Sequence, residues 1–214
     1  MRTSVPPAVA TGRYGMSECC PGDVMDGASR VSVPLRERRW DLVFVGYYLL
    51  NLTFITYIVD IEQLIVVDPT EFVHPLWPPA PLVDLVHWYG ANHDPLLMAR
   101  PPFWRMTIWI DVVFFGPYYV FGIYAFVRGR DWIRVPALVW SGTMAANVLI
   151  ILMEERYGQW AAPHFGFVLL LNAPWLLMPV ATIWRMRRDH PFTRPAATTP
   201  PHPAGAAEPS RAPA

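Results

Sequence analysis

Long apolar runs occur four times along the chain, and the segments between them are polar or rich in proline. At a rise of about 1.5 Å per residue, a helix of about 20 residues crosses a hydrocarbon core about 30 Å thick. The pattern therefore predicts four membrane-spanning helices, at residues 40–66, 103–126, 133–153 and 164–184. We expect an all-α fold: a polytopic membrane protein built as a four-transmembrane-helix bundle.

Both ends of the chain lack this pattern. Residues 1–34 contain Pro, Gly and Ser without helical or strand periodicity, and residues 190–214 are rich in Pro and Ala. Such compositions are typical of disordered segments, so we predict a disordered leader and a disordered tail. The leader also lacks an apolar core long enough for a cleavable signal, and we interpret the first apolar run as an uncleaved anchor.

The arginines are distributed unevenly around the four runs. With four crossings, nine of them lie on one side of the membrane, namely Arg36, Arg38, Arg39, Arg128, Arg130, Arg134, Arg185, Arg187 and Arg188. The loops on the other side carry mainly Asp and Glu. By the positive-inside rule the arginine-rich side is cytoplasmic, and both termini are predicted to be cytoplasmic. The membrane depends on the source: endoplasmic reticulum in a eukaryote, cell membrane in a bacterium.

Composition and motifs narrow the function classes. The residues are 53% hydrophobic and 16% charged with zero formal net charge, so nothing indicates a nucleic-acid partner. The two cysteines are adjacent in the leader and support neither a disulfide framework nor a thiolate metal site. The first extramembrane loop contains His74, His87, His93 and Asp94, whose spacing matches no helix-face ligand pair. We therefore predict no metal and no cofactor.

Two of the predicted spans contain an aspartate. Asp111 lies well inside the second span, where an acid costs on the order of 3 kcal/mol. In the first span, Thr53, Thr56 and Gln63 fall on the same helix face as Asp60, at about 100° per residue. The polar stripe around Asp60 and the position of Asp111 well inside its span indicate that both aspartates face a protein interior.

The two acids also match in depth, since Asp60 and Asp111 lie about 10 Å and about 12 Å from the same membrane boundary. Antiparallel neighbouring helices would bring the carboxyl groups together, and like charge would then keep at least one of them protonated. The alternative is that each acid separately makes a polar contact or faces water near a frayed helix end. For Asp60 the nearby Glu62 and Asp68 favour that alternative.

Further polar and aromatic candidates lie in the second, third and fourth spans: Tyr118, Trp140, Asn147, Asn172 and Trp175. Prolines next to Asn172 and Trp175 free backbone carbonyls and can open a cavity. Any single aromatic residue is more readily explained by packing or by the interface belt. Together, aromatic rings around two acids would form a pocket suited to a hydrophobic cation, by ion pairing and cation–π attraction.

Three segments resemble a known family. They are WYGANHDPLLMARPPFW at residues 88–104, YAFVRGRDWIRVPAL at residues 124–138, and NAPWLLMP at residues 172–179. In this order they are similar to the EXPERA-domain family, and the resemblance extends over about residues 38–188. We expect these residues to form an EXPERA-like four-helix domain.

The resemblance implies an intramembrane pocket that opens toward the lipid and binds sterols or cationic amphiphiles. Asp60 would pair with a ligand amine, and Asp111 would be a second, protonated acid hydrogen-bonded to it. Asp94 would be a third acid that supports the fold and the pocket entrance. The family commonly has Glu where this chain has Asp111, which is one methylene shorter. Isomerase members carry a histidine near that acid, and none lies within a turn of Asp111.

Two functions follow from this pattern. The first is binding of sterol-like lipids or hydrophobic amines, for lipid transport or regulation, with Asp60, Asp111, Thr56 and Gln63 among the ligand contacts. The second is a sterol or terpenoid double-bond isomerase, in which Asp60 and Asp111 act as general acid and base. A purely structural bundle would leave both acids unexplained. The partners implied are a small amphiphile and the bilayer, and a homodimer is left open.

Overall fold

Four helices of 21 to 27 residues, long and apolar enough to cross a membrane, dominate the computed structural model, which describes residues 29–196. They are Asp41–Ile65, Pro102–Arg128, Asp131–Tyr157 and Phe165–Arg185, called spans 1 to 4 below. Each starts and ends within four residues of the apolar run that predicted it. The all-α, four-span prediction is confirmed. The cytoplasmic location of the termini stays a prediction.

The spans are not uniform α-helices. Spans 1 and 2 each contain a segment of π-helix, in which hydrogen bonds run from residue i to i+5 and each turn holds more residues. Span 1 consists of α1 (Asp41–Leu50), a π segment (Asn51–Asp60) and α2 (Ile61–Ile65). Span 2 consists of α5 (Pro102–Ile110), a π segment (Asp111–Phe115) and α6 (Gly116–Arg128). Span 3 is a 3-10 turn (Asp131–Ile133) and α7 (Arg134–Tyr157), and span 4 is α8 (Phe165–Arg185).

The connection between spans 1 and 2, treated as a loop in the sequence analysis, contains two helices. They are α3 (Ala80–His93) and α4 (Pro95–Ala99). Their buried side chains Val86, Leu96 and Leu97 pack against Trp104 and Ile108 of span 2. The stretch therefore has an apolar face that holds it on the bundle.

Local sequence sets the tight turn between spans 2 and 3. Gly129 follows α6 with φ 63°, a left-handed conformation that favours glycine. A Cβ at this position would lie 2.2 Å from the Ser32 hydroxyl oxygen, so the Ser32 side chain would have to move to admit it. Span 3 can therefore turn back directly alongside span 2.

The predicted leader (1–34) and tail (190–214) lie mostly outside the described residues, at 1–28 and 197–214. The few residues of each that the structure describes form regular structure, so both predicted segments extend too far toward the bundle. Arg30–Ser32 (β1) pairs antiparallel with Thr193–Pro195 (β2), and a short 3-10 helix follows at Leu35–Glu37. Phe192 is fully buried, with its ring centroid 5.0 Å from that of Phe126. Strands of three residues are too short to show a period in the sequence, which is why they were missed.

An aromatic core fills the arginine-rich end of the bundle. Tyr48 lies at its centre with no exposed surface, and four aromatic rings have their centroids within 5.8 Å of its ring, namely Tyr118, Tyr119, Phe126 and Trp140. Edge-to-face aromatic pairs stabilise such contacts by about 1 kcal/mol each beyond the area they bury. These aromatic rings therefore pack tightly together, and the Asp60–Asp111 cavity described next lies beyond them.

Candidate functional site

A cavity of about 460 Å³ is bounded by all four spans together with α3 and α4. Its volume lies within the range of about 300–1,000 Å³ that is usual for small-molecule sites. Most of its wall is apolar, with six aromatic side chains: Phe54, Trp88, Tyr89, Trp104, Phe115 and Trp175. The other polar side chains in the wall are Asp60, Gln63, Asp94, Thr107, Asp111, Asn147 and Asn172. Such a wall suits an amphiphile with one polar group.

The two membrane aspartates meet in this cavity. Asp60 is 5% exposed and Asp111 is 9% exposed, and their carboxyl groups lie within hydrogen-bonding reach of each other. The Thr56 hydroxyl donates to Asp111 Oδ1 at 2.5 Å. The structure thus brings together Asp60, Asp111 and Thr56. The sequence analysis matched the two acids by their depth in the membrane, and Thr56 to Asp60 by their common helix face.

The π-helical segments and a glycine account for this approach. Asp60 is the last residue of one π segment, and Asp111 is the first residue of the other. At Gly116 an added Cβ would lie 3.1 Å from the Thr56 methyl group, so the absence of a side chain lets span 2 come close to span 1. π-Helical turns inside α-helices are frequent at functional sites.

Thr53 does not join this cluster. Its side chain is exposed, and its hydroxyl donates to the Leu49 carbonyl oxygen at 2.8 Å. We expected Thr53 on the face of Asp60 because seven residues complete two α-helical turns. In the π segment seven residues fall short of two turns, so Thr53 is rotated away, whereas Thr56, four residues from Asp60, stays on its face.

Four other predicted contact residues line the cavity, and three of them are held by hydrogen bonds. Gln63 Oε1 accepts from Trp104 Nε1 at 2.5 Å. Asn172 Nδ2 donates to the Val168 carbonyl oxygen at 3.0 Å, and Asn147 lies on the same wall. The indole of the fourth, Trp175, is fixed by a residue that sequence reasoning had passed over.

That residue is Asn51, which is fully buried in span 1. Its Oδ1 accepts from Trp175 Nε1 at 2.8 Å, and its Nδ2 donates to the Tyr47 carbonyl oxygen at 2.8 Å. Asn51 thereby joins span 1 to span 4 and orients an aromatic wall of the cavity. The sequence does contain a signal for this contact, because a side-chain amide inside a membrane span needs a polar partner.

Tyr118 and Trp140, which we expected to contact the ligand, lie outside the cavity. Their rings stack with centroids 5.1 Å apart and planes 11° apart, and the Tyr118 hydroxyl bonds that of Tyr48 at 3.1 Å. Trp140 has no exposed surface. Both belong to the aromatic core, and Phe115, about one turn before Tyr118, lines the cavity instead.

A second carboxyl pair lies at the α3–α4 junction. Asp94 lines the cavity, caps α4 by accepting from the Leu97 backbone N–H at 3.2 Å, and faces the buried Glu155 carboxyl of span 3 within hydrogen-bonding reach. No other donor in residues 29–196 reaches the Glu155 oxygens. Burial raises the pKa of Asp94 to about 6, against the lowering effect of the backbone N–H groups of Leu97 and Leu96.

A buried ion pair, also missed from the sequence, fastens the same connection to span 1. Glu62 is fully buried and binds Arg100 Nη2 at 2.9 Å and His87 Nε2 at 2.8 Å. Arg100 also donates to the Val66 carbonyl oxygen. Glu62, which had suggested that span 1 was leaving the membrane, is therefore part of the packed interior.

The loop histidines are engaged separately. His74 bonds Asp84 at 2.8 Å, and His87 bonds Glu62. His93 packs beside the rings of Trp88 and Tyr89. Among residues 29–196, no group of three or more His, Cys, Asp and Glu side chains is arranged to hold a metal ion.

Comparison with known proteins agrees with this architecture. The family model of EXPERA (EXPanded EBP superfamily) matches residues 81–186, which include α3, α4 and spans 2 to 4. Nearly half of the chain thus matches the EXPERA family. The sigma intracellular receptor 2 of Xenopus tropicalis is 28% identical over 162 residues, covering 70% of this chain and 88% of the receptor. The sigma intracellular receptor 2 of Homo sapiens is 29% identical over 160 residues, covering 68% of this chain and 86% of the receptor. With four helices long and apolar enough to cross a membrane, the chain is an integral membrane protein.

Proposed function

We propose that this protein binds sterol-like lipids or hydrophobic amines in the 460 Å³ cavity, for lipid transport or regulation. The observation that carries the proposal is the Asp60–Asp111 pair, buried in the wall of an otherwise largely apolar chamber. Two adjacent carboxyl groups there share a proton, which leaves one negative charge for a ligand cation.

The rest of the wall supports the same ligand class. Six aromatic side chains line the cavity and offer their faces to a cation and to flat hydrocarbon rings. Three lining side chains, Leu85, Trp88 and Leu171, are also exposed on the outside of the bundle. A ligand could therefore enter from the lipid beside α3 and span 4. Relatives named receptors accord with a small-molecule partner.

Asp94 is proposed to support the cavity entrance and to leave the cation to the other pair. It caps α4 and contacts Glu155, so its carboxyl is already engaged by the protein. Asn147, Asn172 and Trp175 contribute polar and aromatic surface on the wall formed by spans 3 and 4.

Binding of a hydrophobic tertiary amine to the purified protein tests the proposal. Asp60→Asn is expected to weaken binding on the order of tenfold to a hundredfold, because a charge-assisted hydrogen bond contributes about 1.5–3 kcal/mol. Asp111→Asn keeps a donor beside Asp60 and is expected to weaken binding less. Glu71→Gln, at an exposed site outside the cavity, is the control. Equal affinity for the wild type and Asp60→Asn would refute the pocket assignment.

Double-bond isomerisation is the second candidate, and the adjacency of Asp60 and Asp111 favours it over other chemistries. One carboxyl group would protonate an alkene, and the other carboxylate would remove a proton from a neighbouring carbon. Aromatic side chains such as Trp175 would stabilise the carbocation between these steps. Product analysis after incubation with Δ8 sterols and cyclic terpenoids tests this candidate, and an unshifted alkene across the panel would exclude those substrates.

A further inference from the structure

A second cavity, of about 610 Å³, lies at the arginine-rich end of the bundle, between the start of span 1 and the end of span 4. It shares no lining residue with the Asp60–Asp111 cavity. One part of its wall is apolar and consists of Val43, Phe44, Met178 and Ala181. The remaining lining residues are Arg38, Trp40, Asp41, Trp184, Arg185, Arg187 and Arg188. Its two halves thus differ sharply in polarity.

The charged half has an excess of positive charge. Four arginines and one aspartate line the cavity, which leaves three positive charges. Asp41 is 2% exposed and is already bound by Arg38 and by Arg185, whose Nε lies 2.7 Å from Asp41 Oδ1. In the described part of the chain, no carboxylate lies within 4.0 Å of Arg187 or Arg188. These two guanidinium groups are available to an anion.

Two exposed tryptophans flank the charged half. Trp40 is 83% exposed and Trp184 is 63% exposed, at the ends of spans 1 and 4 where indole rings mark a membrane interface. The Arg187 guanidinium carbon lies 4.3 Å from the centroid of the Trp184 ring, which holds the charge at this level. The apolar wall extends from there toward the bilayer interior, because Val43 and Met178 lie further inside their spans.

We propose that this cavity binds an anionic phospholipid, with the head-group phosphate at Arg187 and Arg188 and an acyl chain along Val43 and Met178. Basic pockets between membrane helices bind anionic head groups by this combination of charge and apolar contact. A zwitterionic lipid carries its own cation beside the phosphate and gains less from three uncompensated positive charges. Free phosphate would leave the apolar wall uncovered.

Native mass spectrometry of the full-length protein in neutral detergent tests the proposal. Phosphatidylglycerol and phosphatidylcholine with identical acyl chains are titrated separately, and inorganic phosphate is added in a third arm. The wild type is expected to bind phosphatidylglycerol more tightly than phosphatidylcholine, without displacement by millimolar phosphate. In Arg187→Gln/Arg188→Gln, affinity for phosphatidylglycerol should fall about 30-fold, the effect of two basic side chains at a membrane surface.

The matched control is Arg128→Gln/Arg130→Gln. It removes two exposed arginines from the same end of the bundle, and neither lines the cavity. The control should keep phosphatidylglycerol affinity within about threefold of the wild type. An equal loss in both double variants would mean that general surface charge attracts the lipid, and it would overturn the proposal. Equal binding of the two lipids, or displacement by phosphate, would overturn it as well.

Discussion

Asp94 gives the protein a pH-dependent stability that one substitution should remove. Its carboxyl is 4% exposed and faces Glu155, and burial raises its pKa to about 6 from the ordinary value. The folded protein therefore holds a proton on Asp94 that the unfolded chain, with a pKa of about 3.9, releases earlier. The stabilisation is complete below about pH 4 and is lost as the pH rises through about 6.

The magnitude follows from the shift. About two pH units at about 1.4 kcal/mol each correspond to about 3 kcal/mol of unfolding free energy between pH 4 and pH 7. Asn at position 94 keeps the side-chain oxygen that caps α4 but cannot ionise. The stability of Asp94→Asn relative to the wild type should therefore rise by about 3 kcal/mol over this interval.

Denaturation in detergent at pH 4, 5, 6 and 7, followed by tryptophan fluorescence, measures this difference. Glu71→Gln, at an exposed position, should leave the pH dependence unchanged. Parallel curves for the wild type and Asp94→Asn would refute the reasoning.

Three further predictions concern packing. Arg100→Gln leaves Glu62 buried without its arginine and should lower the free energy of unfolding by about 3–5 kcal/mol, and adding Glu62→Gln should restore part of this loss. A loss of less than about 1 kcal/mol in denaturation of Arg100→Gln would contradict the buried pair. Gly129→Ala should lower the free energy of unfolding by at least about 1–2 kcal/mol because of the positive φ at this position, whereas Gly46→Ala, where an added Cβ meets nothing within 4 Å, should not lower it. Equal melting temperatures for the two variants would contradict the left-handed turn at Gly129. Tyr118→Phe should lower stability by about 1 kcal/mol and leave amine affinity unchanged, so a tenfold loss of affinity would return Tyr118 to the ligand site.

The parts of the fold that sequence predicted are those with a strong periodic signal. Each span carries a long apolar run, and the depth of Asp60 and Asp111 in two antiparallel runs was sufficient to place their carboxyl groups near each other. The π-helical segments were not predictable from the pattern, because π and α turns bury the same kinds of side chain. Thr53 was misplaced for this reason.

Long-range pairing accounts for most of what the sequence did not show. Glu62 and Arg100 are 38 residues apart, and Asn51 and Trp175 are 124 residues apart, so no local spacing indicates either contact. Tyr118 and Trp140 look the same in the sequence as the aromatic residues that line the cavity. Only the packing of their rings on Tyr48 shows that they belong to the core.

The central claim is that the carboxyl pair of Asp60 and Asp111 binds a ligand cation inside an apolar cavity. The most direct test is a cycle of four affinities: a hydrophobic tertiary amine and its uncharged isostere, each with the wild type and with Asp60→Asn. We predict that the amine loses on the order of 30-fold in affinity on substitution, the effect of about 2 kcal/mol from a charge-assisted contact, and that the isostere loses little. Equal losses for the two ligands, or none for either, would contradict the account.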